Sequence, residues 1–227
     1  MKASLYDHCV AVGKEDVLAQ WHPTRNGELT PKDVSSGSEV KAWWRCPQGH
    51  EWQSPVYTRT GPTRNDGCPV CAGKIVLPGF NDLASQHPDL AEQWHPTENG
   101  NLSPRSVTPY SNRKVWWVCA RGHAYCVTIA ARARSGSGCP YCAGRKVLVG
   151  FNDLLTTHPD VAQQWHAELN GELTPDMVTA GSNKKIWWEC SEGHVWKTVV
   201  YSRTGRRGTG CPICAGHRKA PKDYGCL

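Results

Sequence analysis

One pattern constrains this chain more than any other. Cys46-x3-His50 is followed after seventeen residues by Cys68-x2-Cys71, Cys119-x3-His123 after fifteen by Cys139-x2-Cys142, and Cys190-x3-His194 after sixteen by Cys211-x2-Cys214. Zinc accepts thiolate sulfur and imidazole nitrogen in a closed tetrahedron, and two short ligand pairs separated by a loop let two turns clasp one ion. One CxxC alone would say little; three matched sets specify three structural Zn2+ sites per chain. Disulfides fit poorly, because three cysteines per copy would force pairing across copies and leave the recurring histidine without a purpose. Glycine precedes each histidine at Gly49, Gly122 and Gly193, and a Gly-Cys-Pro-x-Cys-Ala-Gly run closes each copy. Such turns often need the left-handed backbone that glycine permits.

The rest of the chain repeats in step. The second tryptophan of a Trp-Trp pair falls at 44, 117 and 188, and an upstream Trp-His falls at 21, 94 and 165, spacings of 73 and then 71 residues. The expected units are 1–74, 75–146 and 147–227, the last with a basic C-terminal tail. A unit of this size has much surface for its volume, and the chain holds only two Phe, so metal must supply what the apolar core lacks. No apolar run follows a basic start and no stretch approaches a membrane span, which predicts a soluble, cytoplasmic, reducing setting. With three thiolates per dication each site carries −1, so the formal net charge of +6 falls to +3. A basic balance that mild matters only where it clusters.

Four protein ligands leave no open position for a catalytic water. A zinc-deaminase reading fails because Glu51 directly follows His50, Ala124 and Val195 stand there in the other copies, and proline sits inside the CxxC. Asp33, Glu39 and Lys41 loosely resemble a metal-dependent nuclease triad, but the glutamate occurs in one copy only. The chain therefore reads as non-enzymatic, without a small-molecule substrate. Cys9, Cys126 and Cys226 have no counterparts and read as free thiols. His22, His95 and His166 read as loop or capping residues.

Around each knuckle the residues alternate as in a strand. Ala42, Trp44 and Cys46 share one face, as do Val115, Trp117 and Cys119, and Ile186, Trp188 and Cys190. After the histidine, Trp52 and Val56, Tyr125 and Ile129, and Trp196 and Val200 continue that inner face. The other face mixes indole with positive charge: Lys41 and Trp43, Lys114 and Trp116, Lys185 and Trp187. Strand parity extends it to Tyr57 and Arg59, to Arg132, and to Lys197, Tyr201 and Arg203. Loops before the CxxC add Arg64, Arg134, Arg206 and Arg207. Alternating aromatic and cationic residues suit phosphates and unstacked bases. Two readings of Trp43, Trp116 and Trp187 stand side by side: a ligand surface, or rings covered by the upstream segment.

That upstream segment carries Pro88 and Asp89 where a helix would begin, which predicts a short helix ending near Trp94. Asn-Gly at 26, 99 and 170 and Leu29, Leu102 and Leu173 read as an ordered loop laid over the hairpin. The first copy lacks the Gly-Phe-Asn-Asp-Leu lead-in of the others. The apolar joins at Lys74-Ile75-Val76-Leu77 and Arg145-Lys146-Val147-Leu148 favour docked neighbours.

With Trp-Trp-x-Cys, Gly-His-x-Trp/Tyr and Gly-Cys-Pro-x-Cys-Ala-Gly assembled, the sequence resembles the zinc-ribbon, or treble-clef zinc-finger, repeat family of bacteria, plants and large viruses. Its departures are the shortened first lead-in and Tyr125 in place of tryptophan. The resemblance implies a small zinc-stabilised α+β fold: three tandem β-hairpin modules, each with a short upstream helix and an ordered loop. It also implies binding to nucleic acid, in particular DNA, beside a nuclease or helicase that would here be a separate protein. The alternative is a protein-interaction scaffold whose exposed tryptophans form hot spots. Neither reading involves a membrane.

Overall fold

The computed structural model describes residues 3–61 and 66–217. Cys226, Arg64 and the basic C-terminal tail lie outside the described residues. Among those described, each repeat contributes one two-stranded sheet: β1 (Lys41–Arg45) with β2 (Glu51–Pro55), β3 (Lys114–Val118) with β4 (Ala124–Thr128), and β5 (Lys185–Glu189) with β6 (Val195–Val199). The first and third hairpins are antiparallel and share a register, with Trp44 opposite Trp52 and Trp188 opposite Trp196.

Alternation places the strands as expected. Ala42 and Trp44 are buried in the first hairpin and Ile186 and Trp188 in the third, while Lys41 and Lys185 face water. Each inner tryptophan satisfies its indole N–H locally: Trp44 Nε1 donates to the Ser54 carbonyl, Trp117 Nε1 to Val127 and Trp188 Nε1 to Thr198, all at 3.2 Å. The upstream tryptophan then meets it edge-on. Ring centroids of Trp21 and Trp44 are 5.3 Å apart, those of Trp94 and Trp117 5.4 Å, and those of Trp165 and Trp188 5.5 Å. That separation and angle suit the aromatic quadrupole.

The upstream segment also runs along the free edge of the first strand. His22 N donates to the Trp43 carbonyl at 3.0 Å and Arg45 N to the Gln20 carbonyl at 2.7 Å, and the third repeat matches with His166 to Trp187 and Glu189 to Gln164. The asparagine of each Asn-Gly completes this edge with its side chain. Asn26 Oδ1 accepts from Trp43 N at 2.8 Å while its Nδ2 donates to the Trp43 carbonyl at 2.9 Å. Asn99 does the same to Trp116 and Asn170 to Trp187. One amide thus imitates a residue of a third strand, and an otherwise open edge is closed.

The lead-in forms two short helices rather than one. Leu83–Gln86 is capped by Asp82, and Pro88–Ala91 begins with its proline in the first turn. Asp82 is fully buried; burial alone would raise its pKa, but donors from Ser85 and Gly79 outweigh it and hold the carboxyl below the usual range. The first copy has the same arrangement without the Gly-Phe-Asn signature. Ser4 caps Leu5–Ala11, and Leu5 N donates to the Val34 carbonyl at 2.7 Å just as Leu83 N donates to Val107 and Leu154 N to Val178. Cys9 lies in this first core, where burial pushes its thiol pKa up, whereas Cys126 is exposed.

The repeats do not map one to one onto compact units. One unit comprises Met1–Trp117 with Cys126–Gly136, the other Val118–Tyr125 with Ser137–Leu227, so the second repeat contributes to both. Its knuckle residues fall in the second unit and its following helix, Ile129–Ser135, in the first.

Candidate metal centre

The expected ligands come together in all three repeats: Cys46, His50, Cys68 and Cys71; Cys119, His123, Cys139 and Cys142; and Cys190, His194, Cys211 and Cys214. Within each set the candidate donor atoms lie within 4.8 Å of one another. Cys46 Sγ to Cys71 Sγ is 3.8 Å, and His50 Nδ1 stands 3.5, 3.3 and 3.7 Å from the Sγ atoms of Cys46, Cys71 and Cys68. A tetrahedron with Zn–S of about 2.3 Å and Zn–N of about 2.0 Å has S···S edges of about 3.8 Å and S···N edges of about 3.5 Å. The donors therefore already sit at the corners of a zinc site, with imidazole Nδ1 as the fourth corner. The other two sites match, with 3.8 Å between the corresponding sulfurs and 3.3 Å from His123 Nδ1 to Cys142 and from His194 Nδ1 to Cys214.

Local backbone chemistry builds the corners. Cys46 N donates to the His50 carbonyl and Gly49 N to the Cys46 carbonyl, folding the hairpin tip into a knuckle. Gly49 has φ of 83°, Gly122 80° and Gly193 73°, where a Cβ would be strained. In the second knuckle Cys71 N points at Cys68 Sγ at 3.5 Å, and Cys214 N at Cys211 Sγ likewise. For Cys46, desolvation opposes ionisation, but donors from the His50 and Gln48 backbone outweigh it and lower the pKa. Crowded thiols act the other way on the last cysteine of each set: burial and neighbouring sulfurs push Cys71 to about 12, and Cys142 and Cys214 reach about 11. Three sulfurs held this close resist joint ionisation without a dication between them. The described cysteines form no disulfide.

A family model described as a probable treble clef zinc finger domain matches the chain three times, over residues 17–74, 90–145 and 161–217. The chain belongs to this family. No curated protein matches it. It is a tandem array of three zinc-binding treble-clef fingers, each with a small antiparallel hairpin, short helices and a Cys3His cluster suited to one structural zinc ion.

The arginines do not lie where strand parity puts them. Arg59 is 1% exposed and Arg132 and Arg203 are each 7% exposed, so none stands on the outer face of its hairpin. The second strand ends before Val56, and the chain turns into the helix Tyr57–Thr60; Val200–Thr204 does the same in the third repeat. Side-chain period changes there from two to 3.6, which swings the residue three positions beyond the buried valine back toward the core. Arg59 Nη2 donates to Gln20 Oε1 at 2.8 Å and Nη1 to the Asp66 carbonyl, while the guanidinium carbon lies 5.2 Å from the Trp44 ring and 5.4 Å from Trp52. Arg203 repeats this with Gln164 and Thr209, at 5.2 and 5.1 Å from Trp188 and Trp196. Arg132 donates to Gln93 and lies 5.4 Å from Trp117.

Burial lowers the pKa of Arg59 and Arg203, and neighbouring negative charge opposes the shift: Asp16, Asp66 and Cys68 for Arg59, Cys211 and Cys190 for Arg203. The guanidinium stays charged and would offset the −1 that three thiolates leave on a bound zinc ion. Gln20, Gln93 and Gln164 escaped sequence reasoning, although Gln-Trp-His recurs and marked them. His22 Nδ1 accepts from Thr24 N and Arg25 N, a capping role as expected. Asp33 accepts from Thr30 N and Oγ1 in its own turn.

The other candidate contacts vary in exposure. Lys41, Lys114, Lys185, Lys197, Arg134, Arg206, Arg207 and Tyr201 are exposed; Trp43 and Trp187 are half-buried; Trp116 is 38% exposed. In the first repeat Arg25 lies 4.6 Å from the Trp43 ring and pairs with Glu51 at 3.1 Å, while His22 Nε2 donates to the other Glu51 oxygen at 2.9 Å. In the third repeat Lys197 Nζ lies 5.2 Å from the Trp187 ring. The upstream loop covers the backbone edge of the outer tryptophan, and its ring is half-buried in the first and third repeats and exposed in the second. Among the described residues no helix is long and apolar enough to cross a membrane.

Proposed function

We propose that this zinc-held array is a non-enzymatic nucleic-acid-binding protein that contacts DNA mainly through its third repeat. The observation that carries the reading is Lys197 standing over the outer face of Trp187, a cation and a π-face offered together. Lys184, Lys185, Tyr201, Arg206 and Arg207 are exposed in the same repeat, and cations near aromatic rings suit phosphates and unstacked bases. With Arg59, Arg132 and Arg203 turned inward, the contact set reduces to lysines, loop arginines and aromatic rings. A separate nuclease or helicase would act on what the array holds.

Titration of fluorescent single-stranded and duplex DNA across a salt series tests this. The expected result is binding whose log K falls linearly with log salt, and an Arg206→Glu/Arg207→Glu variant with a slope shallower by roughly two. Absent binding at low salt, or a flat salt response, rejects the reading. Protein binding that survives high salt and follows Trp187 rather than Arg206 and Arg207 would favour a protein-interaction scaffold. DNA cleavage by the pure chain would overturn the non-enzymatic assignment.

A further inference from the structure

The lead-in of one repeat closes the zinc knuckle of the repeat before it. Phe80 packs edge-on against the zinc-ligand ring of His50 with centroids 4.4 Å apart, and Phe151 packs the same way on His123 at 4.2 Å. The next residue locks the contact. Asn81 Nδ2 donates to the Val70 and Ile75 carbonyls at 2.7 and 2.8 Å, and Asn152 Nδ2 to the Tyr141 and Lys146 carbonyls at the same two distances. Val70 and Tyr141 are the middle residues of the Cys-Pro-x-Cys knuckle, and each carbonyl also accepts the amide of the glycine three residues on, so Asn takes its second lone pair. The segment is pre-shaped for this. Asn81 Oδ1 accepts from Leu77 N, Gly79 adopts φ of 86°, and buried Asp82 ties Gly79 N to Ser85 N; Asn152, Gly150 and Asp153 repeat the arrangement.

The third knuckle offers the same receiving surface. His194 presents the same Nδ1-liganded ring, and the Ile213 carbonyl, equivalent to Val70 and Tyr141, accepts Gly216 N at 3.0 Å. Among the described residues no aromatic ring packs on His194 and no asparagine reaches Ile213. Residues 217–227 contain neither Phe nor Asn. We propose that the third zinc knuckle is a docking site for a polypeptide segment carrying Phe-Asn in a glycine-led, aspartate-capped turn, as a further treble-clef repeat would present it. Recognition would rest on an aromatic ring against the zinc-bound imidazole and an amide across knuckle carbonyls. It uses none of the cations invoked for DNA.

A synthetic peptide spanning residues 75–86 is the probe, titrated into the zinc-loaded full chain with NMR of the histidine rings as readout. Saturable shifts at His194 are expected with Kd of about millimolar, because the contacts are few and the linker that favours them within the chain is absent. Phe80→Ala and Asn81→Ala peptides should each bind at least about tenfold more weakly. On the chain, His194→Cys keeps a closed four-ligand zinc site while removing the ring. It should keep three zinc ions, as the three clusters require, and lose peptide binding by at least about tenfold, followed here on the Phe80 ring resonances of the peptide. The absence of a saturable shift at several times that concentration would overturn the proposal. So would binding indifferent to Phe80→Ala, or shifts confined to His50 and His123. Peptide binding should also be nearly independent of salt, which separates its failure from failure of DNA binding.

Discussion

The first and third repeats have one interior and two exteriors. Trp44 and Trp52 against Arg59 in the first, with Trp21 edge-on to Trp44, correspond residue for residue to Trp188 and Trp196 against Arg203 in the third, with Trp165 edge-on to Trp188, and the matched ring distances agree to a few tenths of an ångström. Outside, the first repeat neutralises itself: Glu51 holds Arg25 and His22, and Arg25 lies over Trp43. In the third, Val195 takes the place of Glu51, exposed Leu169 the place of Arg25, and the cation over the outer tryptophan is Lys197, with no acid paired to it among the described residues. Interior residues are set by the need to hold a zinc-sized module together. Exterior residues are free to differ, and there the repeats present different surfaces.

The largest expected effect tests the shared interior. Cys68→Ser and Cys211→Ser should each reduce bound zinc from three ions to two, the number of intact clusters left, and unfold the affected hairpin, since structural zinc contributes on the order of 10 kcal/mol to folding such modules. Metal analysis with tryptophan emission reads both, and a chelator should produce the combined loss. A difference between the two variants in zinc loading would break the equivalence of the interiors.

Next come the buried arginines. Arg59→Ala and Arg203→Ala should each destabilise the chain by about 3 kcal/mol in urea titrations, because each leaves a gap between indoles, an unpaired glutamine oxygen and an uncompensated zinc-thiolate charge. Neither should alter the salt slope of DNA binding. A variant of Arg203 that keeps full stability and weakens DNA binding would return that residue to the surface role strand parity assigns it.

The smallest effect sharpens the exterior difference. The hydrogen bond from His22, with Arg25 nearby, holds the Glu51 carboxyl below the usual range. A depressed folded-state pKa means stabilisation that is complete above the ordinary glutamate value of about 4.3 and lost as pH falls through the lower folded value. Glu51→Gln should therefore be less stable than the unmodified chain at pH 7 and indistinguishable from it once the carboxyl is protonated, as thermal melts across pH would register. Val195→Glu in the third repeat should bring a smaller gain, since His166 stands where His22 does but Leu169 supplies no cation there.

Much of this molecule is written in short-range patterns. The zinc ligands, the knuckle glycines, the inner and outer tryptophans and the helix starting at Pro88 all follow from spacing and alternation within a few residues, and all stand where those patterns put them. Arg59, Arg132 and Arg203 do not, because strand parity was carried past the point where the strand becomes a helix. Asn26 reads from the sequence only as a loop residue, and no local pattern gives Gln20 a partner.

The sequence by itself determined three zinc modules and the face each tryptophan belongs to, because a metal shell and a two-residue alternation are local and nearly invariant geometries. Tertiary structure alone decided which polar groups are interior and which residues join neighbouring modules. A buried guanidinium is tolerable only where two indoles and a glutamine 39 residues upstream converge on it and the negative charge of nearby cysteines opposes its neutralisation. A phenylalanine closes a zinc knuckle only when the chain folds back to the ring that needs it. Both depend on partners distant in sequence, and no local pattern carries that information.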